Sequence, residues 1–213
     1  MRGDVIIVEE HHRQAANAIV DRLGNEVRER DRITTVTVAG ESGSGKSETG
    51  KALKEAFEAR GLRAQVLQQD DYFVLPPKSN DRRRREDVSW VGTEEVQLDL
   101  LDDHLRAAKL GEKRITKPLV IYEEDKVTEE ELSLEGVKVL IAEGTYTTLL
   151  KEADHRVFID RDYHETLEAR KRRAREKIEP FIEQVLEIEH GIISETETRA
   201  DIVISKDYEV SFR

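Results

Sequence analysis

Eight residues, Gly40 to Ser47, carry the spacing G-x-x-x-x-G-K-S within the stretch VAGESGSGKSETGKAL. Glycines at these positions let the backbone turn tightly, so that successive N–H groups converge on one point. A helix starting there adds its positive N-terminal end, and the combination suits phosphate. In such a loop Lys46 reaches the β- and γ-phosphates and the Ser47 hydroxyl ligates Mg²⁺. The expected triphosphate-binding set is therefore Gly40, Glu41, Ser42, Gly43, Ser44, Gly45, Lys46, Ser47 and Glu48, with a nucleoside triphosphate and Mg²⁺ as the expected ligands.

Two carboxylate positions bear on what happens to that triphosphate. QQDDYF follows an apolar strand, and the carboxyl ends of parallel strands face the ligand crevice. Asp70 or Asp71 there can accept a proton from an acceptor hydroxyl. The two are adjacent, so at most one points inward; the other reading is a pair of solvated loop carboxylates. VLIAEG ends a second apolar strand in Glu143, placing a carboxylate near a metal, directly or through water. An ordinary Glu-Gly turn is the alternative. Further on, Arg170 and Arg173 are three residues apart in a basic run and share one helix face. Arginines over a triphosphate neutralise charge that develops during transfer, although a charged run of this kind is also what a solvated helix face looks like.

The elements that must position these residues alternate. Val5 to Val8 reads as a short strand, and a helix-spaced apolar pattern from Ala15 to Val27 follows, interrupted by Gly24. RITTVTVAG, RAQVLQQ, VKVLIAEG, HRVFID and ADIVIS read as five buried strands. Helices are expected from Glu48 to Arg60, from Glu94 to Lys109 with Thr93 as cap, and from Phe181 to Ile193. RITKPLVIY reads as an irregular strand or half of a hairpin. Thr128 to Glu131 fits a helix-capping box. Residues 72–92 show no period and read as a long loop containing four consecutive arginines, Arg82 to Arg85. These either bind an anionic substrate group or form a solvated charge run. Trp90 reads as a core anchor. The histidines show no metal-ligand spacing, and His11 and His12 are too close in sequence to share an ion readily. Strands alternating with helices predict an α/β fold: a mostly parallel five-stranded sheet with helices on both faces. The expected organisation is an N-terminal extension, residues 1–32, packed on one domain spanning 33–213. That domain would hold an acceptor loop at about 72–92 and a helical lid at about 163–180.

Composition narrows the partners. The net charge of -11 over 213 residues argues against nucleic acid and against anionic membrane surfaces. There is no cysteine, so no disulfide and no thiolate chemistry. The first apolar run is too short for a secretion signal and none approaches a membrane span. A cytoplasmic protein is expected, with the N-terminal helix serving either as a packed extension or as the surface of a homodimer.

TVAGESGSGKSETGKAL, VLQQDDYF, VLIAEG and RVFIDRDYHETLEARKRRARE…ADIVIS occur in the order and spacing of uridine kinase, phosphoribulokinase and bacterial pantothenate kinase. From Thr34 to Ser205 the chain resembles that family. The resemblance implies the P-loop NTP hydrolase fold and an ATP-dependent phosphotransferase. It implies Asp70 as general base, Glu143 at the metal and acceptor site, and Arg170 and Arg173 as lid arginines on the phosphates. It places adenine near ADIVIS and the segment before it. The donor half keeps the family pattern and the acceptor half departs from it. SWVGTEEVQLD stands where uridine kinases carry an HPDAFD-like stretch, and EEDKVT follows Tyr122 where they carry a histidine and an arginine. The expected acceptor is thus a small hydroxylated metabolite other than uridine, held between Tyr72, Arg83, Tyr122 and Glu143. A kinase of a phosphorylated or acidic sugar, using the arginine run, is the alternative within enzymes. A nucleotide-dependent regulatory module with little transfer activity is the alternative outside them.

Overall fold

The protein is described here from a computed structural model that covers residue 1, residues 6–167, residue 170 and residues 179–213. The expected lid, including Arg173, lies largely outside the described residues.

The long central strand, β1 (Thr34–Gly40), is buried along its whole length. It pairs in parallel with β5 (Val139–Glu143) on one side and β6 (His155–Ile159) on the other. β2 (Ala64–Gln68) extends the sheet beyond β5, and β7 (Ile202–Ile204) extends it beyond β6, both in parallel. These are the five expected strands. A sixth, β8 (Val210–Phe212), closes the edge antiparallel to β7, so the sheet order is β2-β5-β1-β6-β7-β8. Three residues, of which Ser211 and Phe212 are exposed, carry too little apolar signal to be read from sequence.

Period-two side-chain alternation divides the core into two layers. Val36, Val38, Val139 and Ile141 face one way, against α1 (Glu10–Glu29) and α2 (Lys46–Ala59). Ala39, Leu140, Ala142 and Phe158 face the other way, against α4 (Leu98–Lys109). α1 runs unbroken through Gly24, which is buried on the face turned to its neighbours, where a side chain is not needed. Its apolar stripe is taken up by α2 and the sheet, so it is a layer of the core, not a spare surface. No strand forms at residues 6–8.

Three other expectations are corrected. Thr128 to Glu131 caps no helix: it lies in β4 (Lys126–Ser133), which forms a hairpin with β3 (Arg114–Ile121). Thr93 begins a 3-10 turn, and the helix proper starts at Leu98. Within the supposed loop 72–92 lies a helix, α3 (Pro77–Glu86). Its Pro77 sits in the first turn, where the missing N–H costs nothing. The last long helix, α5 (Pro180–Ser194), likewise begins at a proline. Among the described residues no helix is long and apolar enough to cross a membrane.

Candidate active site

The glycine loop connects β1 to α2 as the mechanism requires. Gly40 must be glycine: a Cβ would sit 2.8 Å from Ser44 Oγ and 3.0 Å from the Ile159 carbonyl oxygen. From behind, the loop is braced by α1 and the C-terminal segment. The Tyr208 hydroxyl donates to the Ser44 carbonyl oxygen at 3.3 Å, and Arg161 Nη1 donates to the Tyr208 hydroxyl at 2.9 Å. His12 Nδ1 accepts from the Glu9 N–H at 3.1 Å, which leaves the proton on Nε2, 3.3 Å from the Tyr208 oxygen. Burial, and after it the neighbouring His11, pulls the His12 pKa down to about 4. Glu9, His11 and His12 could bring ligand atoms within 4.8 Å of one another, but both His12 nitrogens are already engaged.

In front of the loop lies a cavity of about 640 Å³. Ser42, Gly43, Lys46 and Ser47 line one end of it, together with Asp70 and Glu143 from the ends of β2 and β5. Lys46 Nζ donates to the Glu41 carbonyl oxygen at 2.8 Å. Ser47 donates to the Glu143 carboxylate, as does Gln68 Nε2 at 3.2 Å. Burial, and after it the charge of Asp70, raises the Glu143 carboxyl above the usual range, while Lys46 opposes the rise. A hydroxyl, a carboxylate at one strand end and a second carboxylate beside it are hard oxygen donors of the kind Mg²⁺ takes.

The two adjacent aspartates are separated as expected. Asp71 turns into the core, where Lys117 Nζ lies 2.8 Å away and the Val120 N–H donates at 3.0 Å. Asp70 turns into the cavity. Gly144, directly after Glu143, allows this packing: a Cβ there would meet Gln69 Cβ at 2.2 Å.

Arg170 also reaches the cavity. Its side chain crosses Gly43 so closely that a Cβ on that glycine would lie 2.8 Å from Arg170 Cγ. Nη2 donates to the Tyr163 carbonyl oxygen at 2.9 Å, while Nε is buried with no hydrogen-bond partner among the described residues. The Ser44 hydroxyl is likewise buried and unmatched. Buried polar atoms left unmatched are costly, and a bound triphosphate is a ligand that would satisfy such donors. Thr166 donates to the Ser42 carbonyl oxygen at 2.7 Å. Glu41 accepts from the Tyr163 N–H at 2.7 Å and lies 2.6 Å from His190 Nδ1 on α5. The phosphate loop is thus tied to both flanks of the expected lid.

On the acceptor side, Tyr122 lines the cavity as expected, but two other residues do not. Tyr72 is fully buried, and its hydroxyl shares a 2.8 Å hydrogen bond with His104 Nδ1. It is a core residue, facing the α4 layer. Arg83 points away from the cavity, lying 3.5 Å from Asp87 and over the Trp90 ring. The arginine that α3 turns inward is Arg84, one residue on. Its Nε and Nη2 donate to Glu95 at 2.7 and 2.6 Å, and Nη2 also to Glu189 at 3.0 Å. Asn80, one helical turn earlier, donates to Glu95 at 2.8 Å and accepts from the Trp90 indole at 2.8 Å. Trp90 is therefore an anchor for α3.

A glycine loop between a buried strand and a helix, with carboxylates at the ends of the neighbouring strands, defines a P-loop nucleotide-binding fold. The model of the "Phosphoribulokinase / Uridine kinase family" matches residues 35–187, and the chain belongs to that family. It is a small-molecule kinase. The chain is 25% identical over 181 residues to uridine kinase of Bacillus cytotoxicus, covering 79% of this chain and 84% of that protein. It is 31% identical over 186 residues to the bifunctional alpha-galactosidase/sucrose kinase AgaSK of Mediterraneibacter gnavus. That match covers 81% of this chain but only 20% of AgaSK, so the chain spans about a fifth of that relative's length. Among solved structures, a candidate fructose transport system kinase from Silicibacter sp. TM1040 superposes with a TM-score of 0.63 at 19% identity. The match covers 89% of this chain and 94% of that one, and it supports the fold.

Proposed function

We propose that the chain is an ATP:alcohol phosphotransferase that moves the γ-phosphoryl group of ATP to a hydroxyl of a small metabolite, with Asp70 as general base. The observation that carries this reading is the parting of the two aspartates: Lys117 holds Asp71 in the core, and Asp70 shares the cavity with Lys46, Ser47 and Glu143. A protein that only senses nucleotide has no use for a carboxylate there.

In this reading the acceptor hydroxyl gives its proton to Asp70 as its oxygen bonds to the γ-phosphorus. The bond from that phosphorus to the β,γ-bridging oxygen breaks, and ADP leaves. Lys46 turns from the Glu41 carbonyl to the phosphates, and Arg170 supplies a second cation across Gly43. Ser47 and Glu143 would hold Mg²⁺, which neutralises charge on the β- and γ-phosphates. Most of the rate comes from positioning and from charges fixed before the reaction. Dependence on ATP fits a cytoplasmic location. The departures around α3 and the hairpin argue for an acceptor other than uridine.

The test is acceptor-stimulated ADP release from Mg·ATP with Asp70→Asn beside the wild type. Loss of a general base is expected to lower kcat by about 10²–10⁴ while ATP still binds. Equal kcat in the two proteins would remove Asp70 from the chemistry.

A further inference from the structure

The far wall of the cavity is made by α3 and α5, and its charges are already spoken for. Arg84 is clamped between Glu95 and Glu189. Arg85 lies 2.8 Å from Asp81 and pairs with Glu179. Asp81, Glu179 and Glu189 reach the cavity surface, with Glu95 fully buried behind them. Among the described residues, then, four carboxylates surround two guanidinium groups on this wall. Lys78 sits at the exposed rim with its Nζ 3.0 Å from the Glu123 carbonyl oxygen. Between the charges the wall is apolar, formed by Phe73, Ile182, Val185 and Leu186.

We propose, building on the kinase reading above, that the acceptor is an uncharged polyhydroxylated molecule, a free sugar or polyol, and not a sugar phosphate or a carboxylic acid. An anion entering here meets a wall with more carboxylate than guanidinium. To recruit Arg84 it would have to strip that arginine from Glu95 and strand a buried carboxylate, which is costly. A hydroxyl needs no such exchange, because carboxylates and an amide accept or share hydrogen bonds with it as they stand. Apolar patches between convergent polar groups also match the C–H faces of a carbohydrate ring. Arg84 and Arg85 are thus scaffolding for the acceptor wall, their charge matched by the protein's own carboxylates.

Calorimetric titration in the presence of Mg²⁺ and a non-hydrolysable ATP analogue tests this without turnover. The probes are D-fructose, sucrose and ribitol, each against wild type and Asp81→Asn, with fructose 6-phosphate and ribulose 5-phosphate as charged counterparts. At least one neutral probe is expected to bind. The phosphate esters should bind about ten-fold more weakly or worse, and Asp81→Asn should weaken the neutral probe by about ten-fold, as expected for a lost charged hydrogen bond. Nucleotide affinity should stay unchanged. An ester that binds more tightly than the neutral probes overturns the proposal. So does acceptor-stimulated, Asp70-dependent ADP release with a phosphorylated or acidic acceptor while none of the neutral probes binds. Binding of a neutral probe with no ADP release from Mg·ATP leaves the acceptor class standing and sinks the kinase reading instead. Silence from every probe in both assays defeats both.

Discussion

Arg84→Met separates the clamp from the arginines around it. Glu95 is fully buried, and the Arg84 side chain is only 14% exposed. Removing one partner of a buried pair typically costs about 3–5 kcal/mol, because a charge is left without compensation. Glu95 would still accept hydrogen bonds from Asn80 Nδ2 and from the Gly92 N–H at 3.1 Å, so the lower end applies, about 3 kcal/mol. For a chain of this size each kcal/mol shifts the melting temperature by roughly 2–4 °C, so a fall of about 6–12 °C is expected. Urea unfolding read by far-ultraviolet circular dichroism gives the free energy directly, provided the slope with denaturant is unchanged. Two companions sharpen the result. Arg83→Met, on the exposed side of α3, should stay within about 0.5 kcal/mol of wild type. Arg84→Met combined with Glu95→Gln should regain more than half of the loss, since no stranded charge remains. If Arg84→Met unfolds like wild type, or like Arg83→Met, the clamp does not exist and the case for a charge-spent acceptor wall goes with it.

Two further outcomes follow from the same structure. His12 titrates near 4 in the fold against 6.5 as the ordinary value. A base depressed in this way stabilises the fold above 6.5, and that contribution is lost as the pH falls from 6.5 through about 4; His12→Gln should flatten the melting temperature across that window, and an unchanged slope would show that His12 is not the group responsible. Gly144→Ala forces a Cβ against Gln69, whose Oε1 accepts from the Tyr146 N–H at 2.8 Å, so the strand end carrying Asp70 must shift. It should lose about 1–3 kcal/mol of stability as an overpacked site, and a thermal scan beside a kcat measurement should show both falling together.

Much of the scaffold was legible in the sequence because buried parallel strands are runs of apolar and β-branched residues. VLIAE, HRVFI and IVI could be little else. The phosphate loop and the parting of Asp70 from Asp71 were legible too, since both follow from where a parallel sheet presents its strand ends. The acceptor wall was not. Hydrophobic periodicity finds helices whose buried face is apolar, whereas α3 buries Asn80 and most of the Arg84 side chain, so its inward face is polar and the period is invisible. The signals present were weaker: a proline where a first turn tolerates one, and Asp81 four residues before Arg85. Arg84 and not Arg83 faces the cavity for the same reason, because within four identical residues only the helix phase decides which one turns inward. Tyr72 lies in the core and not at the acceptor because the short turn after β2 rotates it back under the sheet. Thr128 to Glu131 matched a helix start by letters alone, while what makes it a strand is its pairing with β3 across the turn after Ile121.

The wiring of Glu41 extends the argument from binding to timing. In this chain the residue after the first loop glycine is a buried glutamate. Its carboxylate accepts from Tyr163, where the lid segment begins, and meets His190 on the helix that follows the lid. Its carbonyl oxygen meanwhile holds Lys46 Nζ. One residue therefore touches the phosphate-binding lysine and both flanks of the lid. When Lys46 leaves that carbonyl for a phosphate, the balance of contacts at Glu41 changes at the same moment. A loop wired in this way would link the described residues on either side of the expected lid to the occupancy of the phosphate site. For the proposed phosphoryl transfer such a link would matter, because water is a smaller hydroxyl than any acceptor and would otherwise reach the γ-phosphorus first.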